Sequence, residues 1–141
     1  MTIIYNGLFI DENEKKTLLA LGKTHLSKII AEPHVTLFFR PGSEKEYREL
    51  WGKKAVVEVV GYANDGKNEG VLVKVKAEDP QLQELFEKAV KVPHITISVA
   101  EDGKPVDTAK LDFQPCESTK IEATFGAFCA GGLILLEGEK Y

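Results

Sequence analysis

The chain has 141 residues, 43% of them hydrophobic and 28% charged, the size and balance of one folded domain spanning residues 1–141 with a single core. No apolar run approaches the ~20 residues a membrane-spanning helix needs, and Met1-Thr-Ile-Ile-Tyr-Asn lacks the basic start and apolar stretch of a secretory signal, so a cytoplasmic protein without a membrane partner is expected. Lys plus Arg number 18 against 22 Asp plus Glu, a net charge of -4, which argues against duplex nucleic acid and leaves a strand end or a small nucleotide as the compatible nucleotide partner.

In chain order, Thr2 to Ile10 is rich in β-branched and aromatic residues and predicts a strand ending at the capping residues Asp11-Glu12-Asn13. From Glu14 to Ala31, Leu18, Leu19, Leu21, Leu26, Ile29 and Ile30 recur near helical spacing, which predicts a helix weakened at Gly22 and stopped by Pro33. His34 to Arg40 predicts a second strand, and Glu44 to Trp51 a short helix with Ser43 as N-cap. Ala55 to Ala63 and Gly70 to Lys76 alternate as strands, and the polar run from Asn64 to Glu69 between them predicts an antiparallel pair. Asp79 and Pro80 stand as N-cap and first residue of a helix with Leu82, Leu85, Phe86, Ala89 and Val90 on one face. A strand from His94 to Val99, a loop from Glu101 to Pro105, and strands over Lys120 to Cys129 and Gly132 to Glu137 complete the chain. Strands with hairpin connections and two main helices predict an α+β fold rather than a doubly wound parallel sheet.

Pro33-His34-Val35-Thr36-Leu37 recurs as Pro93-His94-Ile95-Thr96-Ile97, 60 residues later, each copy following a predicted helix. With only three histidines in the chain, such a match by chance is of the order of one in several thousand. In a strand, His34 and Thr36 share one face and Val35 and Leu37 the other, and the second copy behaves likewise. Each imidazole then stands beside a hydroxyl, ~7 Å apart along the strand, a span that one phosphate can bridge.

Two opposed histidines suit in-line displacement at phosphorus, which needs a base on the attacking side and an acid on the leaving side. An unperturbed pKa near 6.5 lets one imidazole be neutral and the other protonated near pH 7, while the two threonines donate to non-bridging oxygens. No metal or other cofactor is required by this chemistry. Cys116 and Cys129 lack CxxC spacing and read as free thiols. The glycines form no phosphate-binding loop, and no metal-protease or EF-hand motif occurs. His25 lacks the repeated pattern and is expected on a solvated helix face.

Through HVTL and HITI the sequence resembles the two-histidine (2H) phosphoesterase superfamily, whose signature is a pair of His-x-Thr/Ser motifs flanked by hydrophobic residues. The flavour is similar to the branch that holds the cyclic phosphodiesterase domain of fungal tRNA ligase, bacterial and phage RNA-repair-like proteins, and phage anti-CBASS nucleases. The resemblance implies a bilobal fold, two pseudo-symmetric lobes of antiparallel strands with helices outside and a central cleft. It implies metal-independent cleavage of a cyclic or 3′,5′ phosphodiester, with general acid and base roles for His34 and His94 and phosphate-oxygen binding by Thr36 and Thr96. The expected partner is a cyclic nucleotide, a cyclic oligonucleotide or an RNA end, in the host cytoplasm for a phage-encoded protein, with no obligate protein partner evident.

Further residues are candidates for the cleft. Tyr5, and Phe38 or Phe39, can stack on a nucleobase or fill the core. Glu122, which shares a strand face with Lys120 and Thr124, can accept from a base edge or orient an imidazole, or stand as an exposed carboxylate. Trp51 serves as a substrate contact, a lid or a packing anchor, and Lys74 with Lys76 as a phosphate attractor or a solvated edge. Small size and negative charge favour a cyclic oligonucleotide messenger over a 2′,3′-cyclic RNA end, and a non-catalytic nucleotide sponge is the rival from another class.

Overall fold

Alternating apolar and polar residues give the long strands of this chain one buried and one solvated face, and all the buried faces contribute to one core. The computed structural model describes residues 3–22, 24–38, 47–132 and 134–136, without the side chains of Phe38 and Leu135. Its strands are β1 (Ile3–Ile10), β2 (Lys28–Ile29), β3 (His34–Phe38), β4 (Lys54–Asn64), β5 (Asn68–Ala77), β6 (His94–Val99), β7 (Gln114–Cys129) and β8 (Ile134–Leu135). The helices are α1 (Lys15–Leu19), entered through a 3₁₀ turn at Glu12–Glu14, and α2 (Pro80–Ala89), with a second 3₁₀ segment at Pro105–Lys110. No described helix is long and apolar enough to cross a membrane.

The strands form one antiparallel sheet in the order β2-β6-β5-β4-β7-β1-β3, with β8 paired to β7. This bears out a sheet-dominated mixed fold with few helices. Val35 and Leu37, Val57 and Val59, Val71 and Val73, Ile95 and Ile97, and Ile121, Ala123 and Phe125 all join the core. Helix α2 covers it with Leu82 and Phe86, α1 with Leu18. Phe125 lies under the edges of Tyr47 and Phe86. As its sequence requires, α2 starts at Asp79, whose carboxylate accepts from the backbone N–H groups of Gln81 and Leu82, with Pro80 in the first turn.

The helix expected over Glu14 to Ala31 is a correction. Only α1 and its 3₁₀ entry are helical, and the segment then turns to pair Lys28 and Ile29 with Ser98 and Val99 of β6. Tertiary contacts override the periodicity here: Gly22 lies against the Glu69 carboxylate, where a Cβ would stand 2.0 Å from an oxygen, and the Leu26 N–H donates to Ser98 Oγ. Of the expected helix over Glu44 to Trp51, the cap Ser43 and residues 44–46 lie outside the described residues, and Tyr47 and Arg48 are helical. The last long strand starts at Gln114, six residues before the expected Lys120.

Two units of the fold match in detail. In β1-α1-β3, where the short β2 is interposed before β3, and in β5-α2-β6, a strand and a helix precede a His-Thr strand that lies antiparallel to the first strand. Gly7 pairs with Thr36 and Gly70 with Thr96, with a register shift immediately before each glycine. The Ile10 N–H donates to the Pro33 carbonyl at 3.1 Å and the Val73 N–H to the Pro93 carbonyl at 3.0 Å. The repeated pentapeptide is thus the visible part of a longer structural repeat. The sheet curls so that β3, at one end of its path, lies close to β6 near the other.

Candidate functional site

Because Val35, Leu37, Ile95 and Ile97 face the core, the alternate residues His34, Thr36, His94 and Thr96 face away from it. They converge: all four line one pocket of about 620 Å³, together with Tyr5, Ile30 and Pro105, Val106 and Ala109 of the second 3₁₀ segment. Residues 60 apart in the chain meet there because β3 and β6 approach one another across the curl of the sheet.

Both imidazoles are held in the same way. His34 Nδ1 lies 2.8 Å from the Glu32 carbonyl and His94 Nδ1 2.8 Å from the Val92 carbonyl. A carbonyl oxygen only accepts, so each Nδ1 carries a hydrogen and donates it, and each Nε2 is left to take or give a proton. The proline after each of these carbonyl residues sets the backbone into the extended strand, so the hold is encoded locally in the Pro-His dipeptide.

His34 has an aromatic wall. The Tyr5 ring stacks on it at 4.6 Å and 28°, and Phe9 lies tilted at 5.5 Å. Burial pushes the His34 pKa below the ordinary histidine value, and charge on His94 pushes it the same way, against the Glu32 carbonyl and carboxylate. His34 is therefore neutral near pH 7. The Tyr5 hydroxyl, 3.3 Å from His34 Nδ1, stays protonated because burial, then the Glu32 charge, raises its pKa strongly.

Of the other candidates whose side chains are described, only Tyr5 lines the pocket. Trp51 is buried in the core and its indole N–H donates to Asn6 Oδ1 at 2.9 Å, which makes it the packing anchor and not a substrate contact. Glu122 is exposed on β7, in the middle of the sheet, outside the pocket wall. Lys74 is exposed on β5 opposite Glu58 of β4, likewise outside the wall. Phe39 lies outside the described residues. Cys116 is exposed, Cys129 buried, and both are free. Among the described residues no three His, Cys, Asp or Glu side chains gather as a metal-holding group.

His25 is not on a solvated helix face. It sits in the turn after α1 with Nδ1 2.8 Å from the fully buried Glu69 carboxylate, which also accepts from Ser98 Oγ at 2.7 Å and from the Tyr62 hydroxyl at 2.5 Å. The Tyr62 phenol is pushed up to about 12 by burial and by that carboxylate. Sequence reasoning also missed the apolar wall from Pro105 to Ala109, which carries no motif. In comparisons with known proteins, no family model matches the chain and no curated protein matches it.

Proposed function

We propose that the protein is a metal-independent phosphodiesterase that cleaves a small cyclic nucleotide or cyclic oligonucleotide by two-histidine acid–base catalysis. The observation that carries this reading is the meeting of both His-Thr pairs in one pocket, each Nδ1 bonded to a carbonyl two residues upstream. With His34 kept neutral by burial, its Nε2 is the base, which leaves the acid's role to His94 across the pocket. For a 2′,3′-cyclic phosphate, water attacks phosphorus and gives its proton to His34, while the ribose oxygen that leaves takes one from His94. For a 3′,5′ link the neighbouring 2′-hydroxyl is the nucleophile and the 5′-oxygen leaves, giving a 2′,3′-cyclic end. Thr36 and Thr96 donate to the non-bridging oxygens as charge builds there.

The pocket volume lies within the range of small-molecule sites, and among the described residues no Lys or Arg lines it. That favours a compact ligand over a tracked RNA strand, which calls for a row of cations. The matching β1-α1-β3 and β5-α2-β6 units support reading the sheet as two pseudo-symmetric lobes around a cleft.

The test is incubation with 2′,3′-cyclic nucleotides, 2′,3′-cyclic-phosphate-ended RNA, and cyclic di- and trinucleotides in EDTA, with products identified by mass spectrometry. Turnover of the cyclic nucleotides or oligonucleotides is expected. Turnover of RNA ends alone would move the reading to RNA repair. Recovery of a bound ligand intact after denaturation would make the protein a sponge.

A further inference from the structure

Thr36 and Thr96 hold equivalent places in the two motifs, but their hydroxyls are differently situated. Thr36 is exposed and has no side-chain hydrogen bond to the described residues. Thr96 is half-buried, with Oγ1 2.8 Å from Thr108 Oγ1 and 3.2 Å from the Pro105 carbonyl. Thr108 is fully buried in the 3₁₀ segment that walls the pocket, and its oxygen lies 3.0 Å from Nδ2 of the buried Asn68. The segment can sit so close because position 70 has no side chain: a Cβ on Gly70 would stand 2.4 Å from Thr108 Cγ2.

One arrangement of the protons makes every hydrogen bond in this group at once. The Lys104 carbonyl, 2.8 Å from the Asn68 amide, only accepts, so the atom facing it is the amide nitrogen. The second N–H of that nitrogen points at Thr108 Oγ1. Thr108 accepts there; two hydroxyl oxygens 2.8 Å apart can share a proton in either direction, and the direction in which Thr108 donates to Thr96 Oγ1 is the one that also gives Thr96 its bond to the Pro105 carbonyl. Thr96 then accepts from Thr108, and its proton is held only by the long bond to Pro105 or passes to an oxygen in the pocket. Each donor in the chain reinforces the next.

We infer that Asn68 and Thr108 are positioning residues that hold the Thr96 hydroxyl as a donor toward the pocket, where it meets a non-bridging phosphate oxygen. The inference rests on the phosphodiesterase reading above and adds an asymmetry to it. Thr96 is set before the ligand arrives, whereas Thr36 is ordered by the ligand.

The experiment compares Thr108→Val, which keeps the shape and loses the hydroxyl, with Thr108→Ser, which keeps the hydroxyl and loses the methyl against Gly70. The substrate is the diester that the wild type turns over fastest. Thr108→Val should lower kcat about 10-fold with KM within about twofold, less than the loss from removing a direct oxyanion donor. Thr108→Ser should keep at least half of the wild-type kcat. In a Thr96→Val background, Thr108→Val should cost nothing further, since its effect passes through Thr96. Wild-type kcat in Thr108→Val, a loss in Thr108→Ser as large as in valine, or an undiminished effect in the Thr96→Val background would overturn the relay. Should Thr108→Val fail to fold by circular dichroism, a folded Thr108→Ser decides: kcat near wild type supports the relay and a 10-fold loss overturns it. A wild type inactive on every diester removes the phosphodiesterase reading and the relay with it, whereas an active wild type with normal Thr108→Val removes the relay alone.

Discussion

Replacing Gly7 or Gly70 by alanine should damage the pocket through the backbone of the strand that lies opposite. A Cβ on Gly7 would lie 2.6 Å from the Val35 carbonyl oxygen, and one on Gly70 2.8 Å from the Ile95 carbonyl oxygen and 2.4 Å from Thr108 Cγ2. Comfortable contact needs about 3.5 Å, so β3 or β6 must move outward by roughly 0.5–1 Å. The moving residues are the ones between His34 and Thr36, or between His94 and Thr96, and neither imidazole can keep its place. Overpacking of this kind costs ~1–3 kcal/mol, which for a domain of this size lowers Tm by about 3–10 °C. A displacement of reacting groups near 1 Å costs up to ~10²-fold in rate. Thermal melts and kcat on the diester turned over by the wild type measure both. Gly66→Ala is the control: its φ of +87° makes alanine strained, with nothing within 4 Å to push on, so it should lose stability and keep kcat. If Gly7→Ala kept both Tm and kcat, the close approach would not be what requires glycine opposite the motif threonines.

His34→Ala and His94→Ala should each lower kcat by ~10²–10⁴-fold, and the double variant should lose far less than the product of the two; near-normal turnover in either single variant would exclude the paired mechanism. The pKa of His34 is lower in the folded chain than its unfolded value near 6.5, so between the two the unfolded state binds more protons. This contribution to stability is complete above pH 6.5 and is lost as pH falls through the folded value; urea denaturation from pH 8 to 5 should show the loss, reduced in His34→Gln. Glu69→Ala leaves Tyr62, Ser98 and His25 without their buried acceptor and, at ~1–3 kcal/mol for each unsatisfied buried donor, should unfold the chain or bring Tm down sharply, as a melt will show.

The two His-Thr pairs were legible in the sequence because each is local. A proline, a histidine and a threonine in five residues specify an extended backbone, a face and a hold on Nδ1, and the chain contains that set twice. The strands were legible for a related reason, since alternation in Ala55 to Ala63 or Gly70 to Lys76 is a property of neighbours. What alternation cannot convey is position within the sheet. Glu122 and Lys74 were offered as substrate contacts on polar strand faces, but β7 and β5 carry them away from the pocket, where they stand as exposed side chains. Trp51 was drawn inward by a buried partner, Asn6, 45 residues away. The stretch after Leu19 misled because its leucines and isoleucines satisfy helical spacing while its real partners, Glu69 and the edge of β6, are distant in sequence. The wall from Pro105 to Ala109 was hidden for the same reason, being held through Thr108 by Asn68 and Thr96.

The position of β7 has a consequence for when the pocket can form. β1 and β3 form one paired group, and β4, β5, β6 and β2 another, and every backbone ladder between the groups runs through β7, which pairs with β1 on one side and β4 on the other. Most of the pairings within the groups can form as their stretches of chain become available, and β2 joins residues 28–29 to β6 once residue 99 is made, whereas the keystone spans residues 114–129 and comes late in chain order. Through the first hundred residues, the only ladder among the described residues that ties the stretch carrying His34 to the strand carrying His94 is the two-residue β2–β6 pairing. A chain that stops before residue 114 lacks the strand that joins β1 to β4, so the two His-Thr pairs are expected to settle into one pocket only when the keystone strand slots between the groups.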